Sequence, residues 1–588
     1  NKTIGNIGLE YELLKGLKAK WNVGGDFANG SIFEYGNVSK ITAGAPNDPA
    51  NDVVGKVAEA TITNRQINSD LTLAYKFDLT EDLDLDLLVG QNANETTFKS
   101  FSTEITNLSI PGYYNLSNTT TQPVTATART KRRLVGVFGM ATLGFRDWLY
   151  LGLQGRNDWS STLPKDNNSF FYPGVTVSAV LSDAFEMSNY FDFLKLRAGY
   201  AFTGNDAQPY RINSVYGAAQ ARAGGFGFIN FPIGGFNSFE IGDRIGNKSL
   251  KPELTSELEF GVEAQMFKRR IGLDLSVYDK RTKDQIIEID VDPTSGYRSQ
   301  VINLGEIKNA GFEAMIDLVP VRTTNFEWGV NFNYSRNRNE VLSLGDSEGT
   351  SILLNDAYNV ELRAEVGKPV GTIYTPDVQR TADGKIVVNP ATGLPLQSAA
   401  KVLRGSINPD FSTGFGTYLK FKNWTLNANA DYRKGGLFYS YTARLNYFVG
   451  NAWNSQYNDR QPWIVPNSVV DNGDGTFSEN TTPISRSDVF TYYGATPSYE
   501  YNHILDKTFF KLRNVSLTYA LPTGWFKGSI NNVSVTAWGR NLLLWTPSDN
   551  HFVDPESNTF GTSLASQLGE FSTGPSTSSY GITLNIKY

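Results

Sequence analysis

The residue types that carry most enzyme chemistry are scarce in this chain. It has no Cys, which excludes disulfides, thiolate-ligated zinc, iron–sulfur clusters and thiol nucleophiles. Its two histidines, His503 and His551, stand in loop-like sequence without partners at catalytic spacing, and surface positions are expected for both. Carboxylates are so plentiful, at 59 Asp and Glu, that some pair must fall close together, so their presence argues nothing about a glycosidase dyad. The run VDNGDGTF (470–477) interleaves acids with Gly in the manner of a calcium loop. Gly473 and Gly475 occupy two ligand positions, however, so a tight turn is expected. GGFGF (224–228) lacks the following helix that phosphate binding needs and reads as a loop. No nucleophile elbow or zinc-protease motif is present. The expectation is a protein that is not an enzyme, with no catalytic residues, no metal and no cofactor. Lys and Arg number 53, giving a net charge of −6, which argues against nucleic acid as a partner.

What remains is chemistry of weak, repeated contacts. Aromatic residues reach 13%, and several cluster in Asn-rich segments: Tyr113–Tyr114, Trp453–Tyr457 with Trp463, and Tyr492–Tyr493. Aromatic faces beside amides suit sugar rings or peptides. A second set alternates. Thr425, Asn427, Asn429 and Asp431 face one way, and Trp424, Leu426, Ala428, Ala430 and Tyr432 the other. Thr583, Asn585 and Lys587 likewise oppose Tyr580, Ile582, Leu584, Ile586 and Tyr588. Leu71–Leu79 and Leu83–Val89 repeat the pattern, the latter against Asp82, Asp84 and Asp86, which would line a lumen or its rim.

Period 2 over so many segments makes the chain all-β, since a helix would scatter these residues around its circumference. Trp424 and Tyr432 lie eight steps apart, about 26 Å along a strand at ~3.3 Å per residue. Tilted near 40°, that is about 20 Å of height, close to the ~25 Å apolar band between the aromatic girdles of an outer-membrane barrel. Trp424, Leu426, Tyr432, Tyr580, Ile582, Leu584, Ile586 and Tyr588 are therefore expected on the lipid and girdle face. Thr425, Asn427, Asn429, Asp431, Thr583, Asn585 and Lys587 are expected in the lumen. No run of 18 apolar residues could form a membrane-spanning helix.

About 17 strands are expected, with boundaries good to a few residues. Tight joins fall at Leu14–Gly16, Leu79–Asp82, Phe145–Trp148, Phe267–Arg270, Val321–Asn325 and Lys422–Asn423, and middling ones at Ser182–Asp192 and Leu521–Asn531. The alternate connections are mostly long, at about 28–66, 99–132, 159–169, 205–254, 288–310, 338–410, 439–510 and 546–579. Short turns on one side and long loops on the other mark a transmembrane barrel with extracellular loops; a soluble β-sandwich explains neither the loops nor the aromatic spacing. First and last strands both run toward the short-turn side, which requires an odd count and implies further strands before Asn1. NKTIGNIGLE has neither the basic start nor the apolar core of a signal peptide, consistent with processing or with a chain that begins inside a larger protein.

Ten stretches then occur in one order. They are GNIGLEYELLKGLKAK (5–20), GRNDWSS (155–161), LKLRAGYAFTGN (194–205), LKPELTSELEFGVEAQMFKRRIGLDLSVYDKRTKDQI (250–286), NLGEIKNAGFEAMI (303–316), VGKPVGTIY (366–374), INPDFSTGFGTYLKFKNWTL (407–426), FFKLRNVSLTYALP (509–522), WGRNLLLWTPSDNHFVDPES (538–557) and SYGITLNIKY (579–588). In these the chain resembles, over nearly its whole length, the C-terminal barrel region of SusC/RagA-type TonB-dependent transporters of Bacteroidota outer membranes. The resemblance implies a barrel of about 22 strands, of which residues 1–588 form a partial barrel domain lacking upstream strands, plug domain and TonB box. It implies import of glycans or oligopeptides, with a SusD-like surface lipoprotein as lid and the TonB complex as motor. Outer-membrane lipid surrounds it, and pairing of two such complexes into a dimer is a further implied assembly. It also implies that the last strand, ending in Tyr588, is read by the outer-membrane assembly machinery. Two rival readings stand beside it: a non-energised porin or structural subunit of an assembly or secretion complex, and a secreted β-rich adhesin.

Overall fold

Alternating residues need a neighbouring strand on each edge, and the chain supplies them in sequence order. The computed structural model describes residues 1–39, 53–187, 190–218, 221–223, 227–229, 236, 238–345, 350–495, 497–522, 524, 532–559, 561 and 564–587. Among these, seventeen strands have nine residues or more and belong to a large antiparallel sheet. We number them β1 (Lys2–Leu14), β2 (Leu17–Ser39), β3 (Val53–Thr80), β4 (Leu83–Thr106), β5 (Val124–Phe145), β6 (Leu149–Ser160), β7 (Ser169–Val180), β8 (Phe191–Asn205), β9 (Glu253–Met266), β10 (Ile271–Asp290), β11 (Ser299–Arg322), β12 (Phe326–Ser343), β13 (Phe411–Phe421), β14 (Trp424–Lys434), β15 (Phe509–Ala520), β16 (Asn532–Trp545) and β17 (Ser579–Lys587). No described helix is long and apolar enough to cross a membrane.

The chain divides into two compact units. The first comprises Asn1–Thr176 and Ala201–Leu254. In it β1 to β6 form a meander, each strand paired antiparallel with the next. Its turns use residues in the left-handed region: Gly16 at φ +83, then Arg146 and Asp147 at +48 and +56. Arg146 holds Asp82 of the adjacent turn through two hydrogen bonds of 2.9 and 3.0 Å. The GRNDWSS segment is structural here. Asp158 pairs with Arg156 at 2.7 Å and accepts the Tyr172 hydroxyl. Ser160 and Thr162 donate to Asp206, which also takes a fork from Arg132 at 2.7 and 2.8 Å. A nearly buried carboxylate with four donors fastens β5 and β6 to the segment that follows β8.

The second unit comprises Val177–Tyr200 and Thr255–Tyr588. Here β10 to β17 continue as a meander of successive antiparallel pairs. The register brings distant segments into common rows. Trp424 lies opposite Tyr519, Tyr519 opposite Val535 and Val535 opposite Leu584; Leu426 leads in the same way through Leu517 and Ala537 to Ile582. At the other end of β14, Tyr432 is opposite Phe510, itself opposite Trp545. Phe411 packs between Tyr432 and Tyr334, with ring centroids 5.9 and 5.5 Å away. Aromatic residues thus bound the apolar rows on both sides. Those rows are not a core: Leu584, Ile582, Leu517 and Trp424 are all exposed, as are Ile7, Leu9, Leu71 and Leu73 of the first unit. A water-facing sheet rarely leaves so much contiguous apolar surface open.

All six tight joins fall where the sequence places them. Three long connections are shorter than expected, because strands run on past the apolar rows. Tyr35 still pairs with Val57, Glu104 with Val124 and Asp290 with Ser299. In those extensions apolar residues such as Val57, Ile105, Val301 and Leu304 are buried against neighbouring segments rather than left on one exposed face, so the alternation is lost although the backbone ladder is not. The middle of the 28–66 connection (40–52), most of Leu521–Asn531, the first three residues of GGFGF and Tyr588 lie outside the described residues.

Candidate functional site

The longest connections of the second unit, 344–410, 435–508 and 546–578, are not extended loops. They contain short sheets and share a hydrophobic core with the ends of β11 and β12. Leu304, Val341, Val360, Leu362, Ile373, Tyr439 and Leu568 are fully buried in it. Strand Leu437–Ser440 is sandwiched between Ile504–Asp506 and Gly569–Glu570, the latter in parallel. Gly569 is required there, since a Cβ would stand 2.1 Å from the Tyr439 carbonyl oxygen.

Two buried carboxylates tie this core together. Glu570 accepts the Ser440 hydroxyl at 2.6 Å and both the backbone N–H and hydroxyl of Thr442 at 2.9 Å. Ser440 in turn accepts the Ala443 N–H at 3.0 Å, so the helix Tyr441–Phe448 is capped by its own serine and by an acid 130 residues away. Glu500 accepts Arg444 at 2.9 Å and the Tyr439 hydroxyl at 3.0 Å. Burial holds the Glu500 carboxyl above the usual range even though Arg444 opposes the shift, and it drives the Tyr439 hydroxyl strongly upward.

Over this core opens a cavity of about 750 Å³ lined by Tyr447, Trp453, Asn454, Tyr501, Asn502, Ile504, Leu505, Ser548, Asp549, His551 and Phe552. Trp453 is 82% exposed, so its ring face is free. A continuous aromatic series runs beside it. Tyr457 meets Trp463, Trp463 meets Tyr492 and Tyr492 meets Tyr493, each edge to face at 4.9 to 5.0 Å, and Tyr493 stacks on Tyr447. The lining offers ring faces, amides, a hydroxyl and one carboxylate, the donor set for polar ligands with apolar faces.

The structure brings together most of the aromatic residues singled out in the sequence. Trp453 lines the cavity, while Tyr457, Trp463, Tyr492 and Tyr493 pack on one another behind it. Tyr113–Tyr114 belongs elsewhere, in the first unit, where Tyr114 stacks on Tyr35 at 4.0 Å. The polar rows also converge: Thr425 is opposite Thr518, Thr518 opposite Thr536 and Thr536 opposite Thr583. Asn427 and Asn429 lie opposite Ser516 and Asn514, and Asn585 and Lys587 opposite Ser534 and Asn532. Asp431 is engaged by Arg513 at 2.6 Å. Asp84 and Asp86 both face Lys76, at 3.7 and 3.6 Å. VDNGDGTF is a hairpin turn, with Gly473 and Gly475 at φ +80 and +85 and Asp471 and Asp474 accepting N–H groups of the turn.

One expectation is corrected. His503 is not at the surface but 2% exposed, against Tyr439 and Tyr447, because the segment 497–503 folds into the loop core. Burial, reinforced by Arg444, pushes its imidazole down to about 4. His551 is exposed, as expected. No local pattern marks Glu500 and Glu570, whose partners stand 56 to 130 residues away. The sequence likewise concealed the clamp on 546–556, where Glu556 takes a fork from Arg513 at 2.7 Å and Lys511 bridges to Asp554 at 2.6 Å. Burial alone would raise the Glu556 carboxyl, but the Arg513 and Lys511 hydrogen bonds outweigh it and bring it to about 2.

The profile of the family "TonB dependent receptor-like, beta-barrel" matches residues 1–379. TonB-dependent receptor P26 of Formosa agariphila is 26% identical over 589 residues, which are 95% of this chain and 56% of that protein. TonB-dependent receptor SusC of Bacteroides thetaiotaomicron is 22% identical over 409 residues, 66% of this chain and 38% of that protein. Among solved structures, that of the RagAB peptide transporter superposes with a TM-score of 0.77 at 20% identity, covering 99% of this chain and 61% of that one. At such identity the likeness is one of fold. The chain spans less than two thirds of the length of each of these proteins.

Proposed function

The chain belongs to the TonB-dependent receptor-like β-barrel family, and from that premise we propose that it is the barrel part of an energised outer-membrane importer of glycans or oligopeptides. It is an outer-membrane protein. The observation that carries the reading is the pairing of exposed apolar rows, bounded by aromatic residues, with a packed loop cluster holding an aromatic and amide-lined cavity. In this reading Trp424, Leu426, Tyr432, Tyr580, Ile582, Leu584, Ile586 and Tyr588 meet lipid or its interface. Thr425, Asn427, Asn429, Asp431, Thr583, Asn585 and Lys587 face the lumen. A SusD-like surface lipoprotein covers the loops, and substrate is held between it and the cavity. The TonB complex then opens the path through a plug contributed by sequence outside these 588 residues, and two such complexes pair. The barrel's own part is passive, because many weak contacts allow release where a single tight one would not.

The test is uptake of fluorescent oligosaccharides and oligopeptides by cells carrying the full-length protein, with and without an uncoupler of the proton gradient. Energised import predicts accumulation that the uncoupler abolishes. Uptake that persists unchanged in uncoupled cells would return the protein to the porin reading.

A further inference from the structure

Four cations stand where the Asp431 end of β14 meets the start of β15: Arg433, Lys507, Lys511 and Arg513. Arg433 lies opposite Phe509 and Asp431 opposite Lys511. Lys507 stands two residues before Phe509, where its N–H donates to the Gly436 carbonyl at 2.8 Å, and Arg433 is the charged group that acts on its amine. A bulge at Arg513 interrupts the ladder on both sides and re-aims that side chain. Two of these cations are matched: Lys511 by Asp554 and Glu556, Arg513 by Asp431 and Glu556.

The other two are not. Among the described residues neither Arg433 nor Lys507 forms an ion pair, and the buried Arg433 Nε has no acceptor. Lys507 is 6% exposed, with its ammonium 6.0 Å from the Phe438 ring centre. The carboxylate nearest to it in sequence, Asp506, is turned away to the N–H and hydroxyl of Thr508, at 2.7 and 2.6 Å. Burial and the neighbouring Arg433 push the Lys507 amine down to about 8, so near neutral pH it still carries its charge for most of the time. Glu556, already shared between Lys511 and Arg513, is the carboxylate that also acts on Arg433, so three acids serve four cations, and a surplus positive charge beside the buried Lys507 is costly.

We propose that Arg433 and Lys507 form a binding site for an oxyanion group, a carboxylate or sulfate, borne by the ligand that enters the loops. The planar guanidinium can fork onto two oxygens while the ammonium shares one of them on a carboxylate or takes a third on a sulfate, a combination that selects oxyanions over halides. Sugar hydroxyls or peptide amides alone would leave the surplus charge unmatched. The inference rests on the importer reading for the source of the ligand, but the site itself is tested without transport.

The experiment is thermal unfolding of the detergent-solubilised full-length protein in sodium sulfate or sodium glucuronate against sodium chloride at equal ionic strength. It is joined to titration with an oligosaccharide carrying glucuronate and a neutral one of the same length. The wild type is expected to melt about 3 °C higher in the oxyanion salts, and to bind the charged oligosaccharide at least about tenfold more tightly than the neutral one. Lys507→Met, which keeps side-chain volume, should melt no lower than wild type in chloride and lose both preferences, while Lys507→Arg retains them. A response to the salts without a preference between oligosaccharides keeps the oxyanion site and makes a free anion its ligand. Equal melting of the wild type in all three salts, or an equal response of wild type and Lys507→Met, would overturn the proposal. Neither result bears on uncoupler-sensitive uptake, so the site and the importer reading fail separately.

Discussion

Single side chains decide two questions of facing and charge. Leu584 sits in the exposed row that runs from Trp424 through Tyr519 and Val535. If that row meets lipid, Leu584→Lys costs about 2–4 kcal/mol of folding stability in bilayers. A measured change near zero would reverse the facing of the whole row. His503 poses the second question. Its imidazole is depressed from 6.5 to about 4, so the unfolded loop binds a proton that the folded loop does not. The stabilisation is complete above pH 6.5 and is lost as the pH falls toward 4, amounting in all to about 3 kcal/mol. Hydrogen exchange of residues 437–448, corrected for intrinsic rates, should therefore accelerate across that window. His503→Gln should remove the acceleration, and an unchanged profile in the variant would rule out His503 as its origin.

At the scale of elements, the capping of the helix Tyr441–Phe448 shows how the loops are joined. Glu570 serves Ser440 and Thr442 at once, so Glu570→Ala leaves the buried Ser440 hydroxyl and the half-buried N–H and hydroxyl of Thr442 without this acceptor, at a cost of about 3 kcal/mol. The expected readout is loss of exchange protection in that helix together with Leu437–Ser440, while β14 keeps its protection; a helix that stays protected would count against the joint. This is also where reading from the sequence ran out. The strands and six turns are local, set by alternation at Trp424–Tyr432 or Leu71–Leu79 and by Gly16 or the Phe267–Arg270 turn, and a linear reading finds them. Glu570 with Ser440, Glu500 with Arg444 and Glu556 with Arg513 are contacts across 43 to 130 residues. Nothing periodic surrounds them, so residues that tie the loops together looked like ordinary loop polar groups. His503 was misplaced for the same reason. The aromatic clusters were visible as composition, but only the fold separates Trp453, open to the cavity, from Trp463, whose indole N–H is buried without a partner.

In both units the strands set an exposed apolar face against polar rows on the opposite face. Assembly should depend on the last strand. Shortening the chain by its final residue, Tyr588, is expected to lower the amount of heat-modifiable, folded barrel in outer-membrane fractions, and equal amounts would show that the terminal aromatic is dispensable. The row from Thr425 through Thr518 and Thr536 to Thr583 has a different consequence. Thr518 and Thr536 already share a hydrogen bond of 2.8 Å in which either can donate, and Thr583 accepts the Trp538 N–H at 3.0 Å. A hydroxyl can switch between giving and taking a proton by rotating about one bond. In the importer reading, four of them side by side let a wet molecule trade one partner for the next without a deep trap, a track of low friction built from hydroxyls alone.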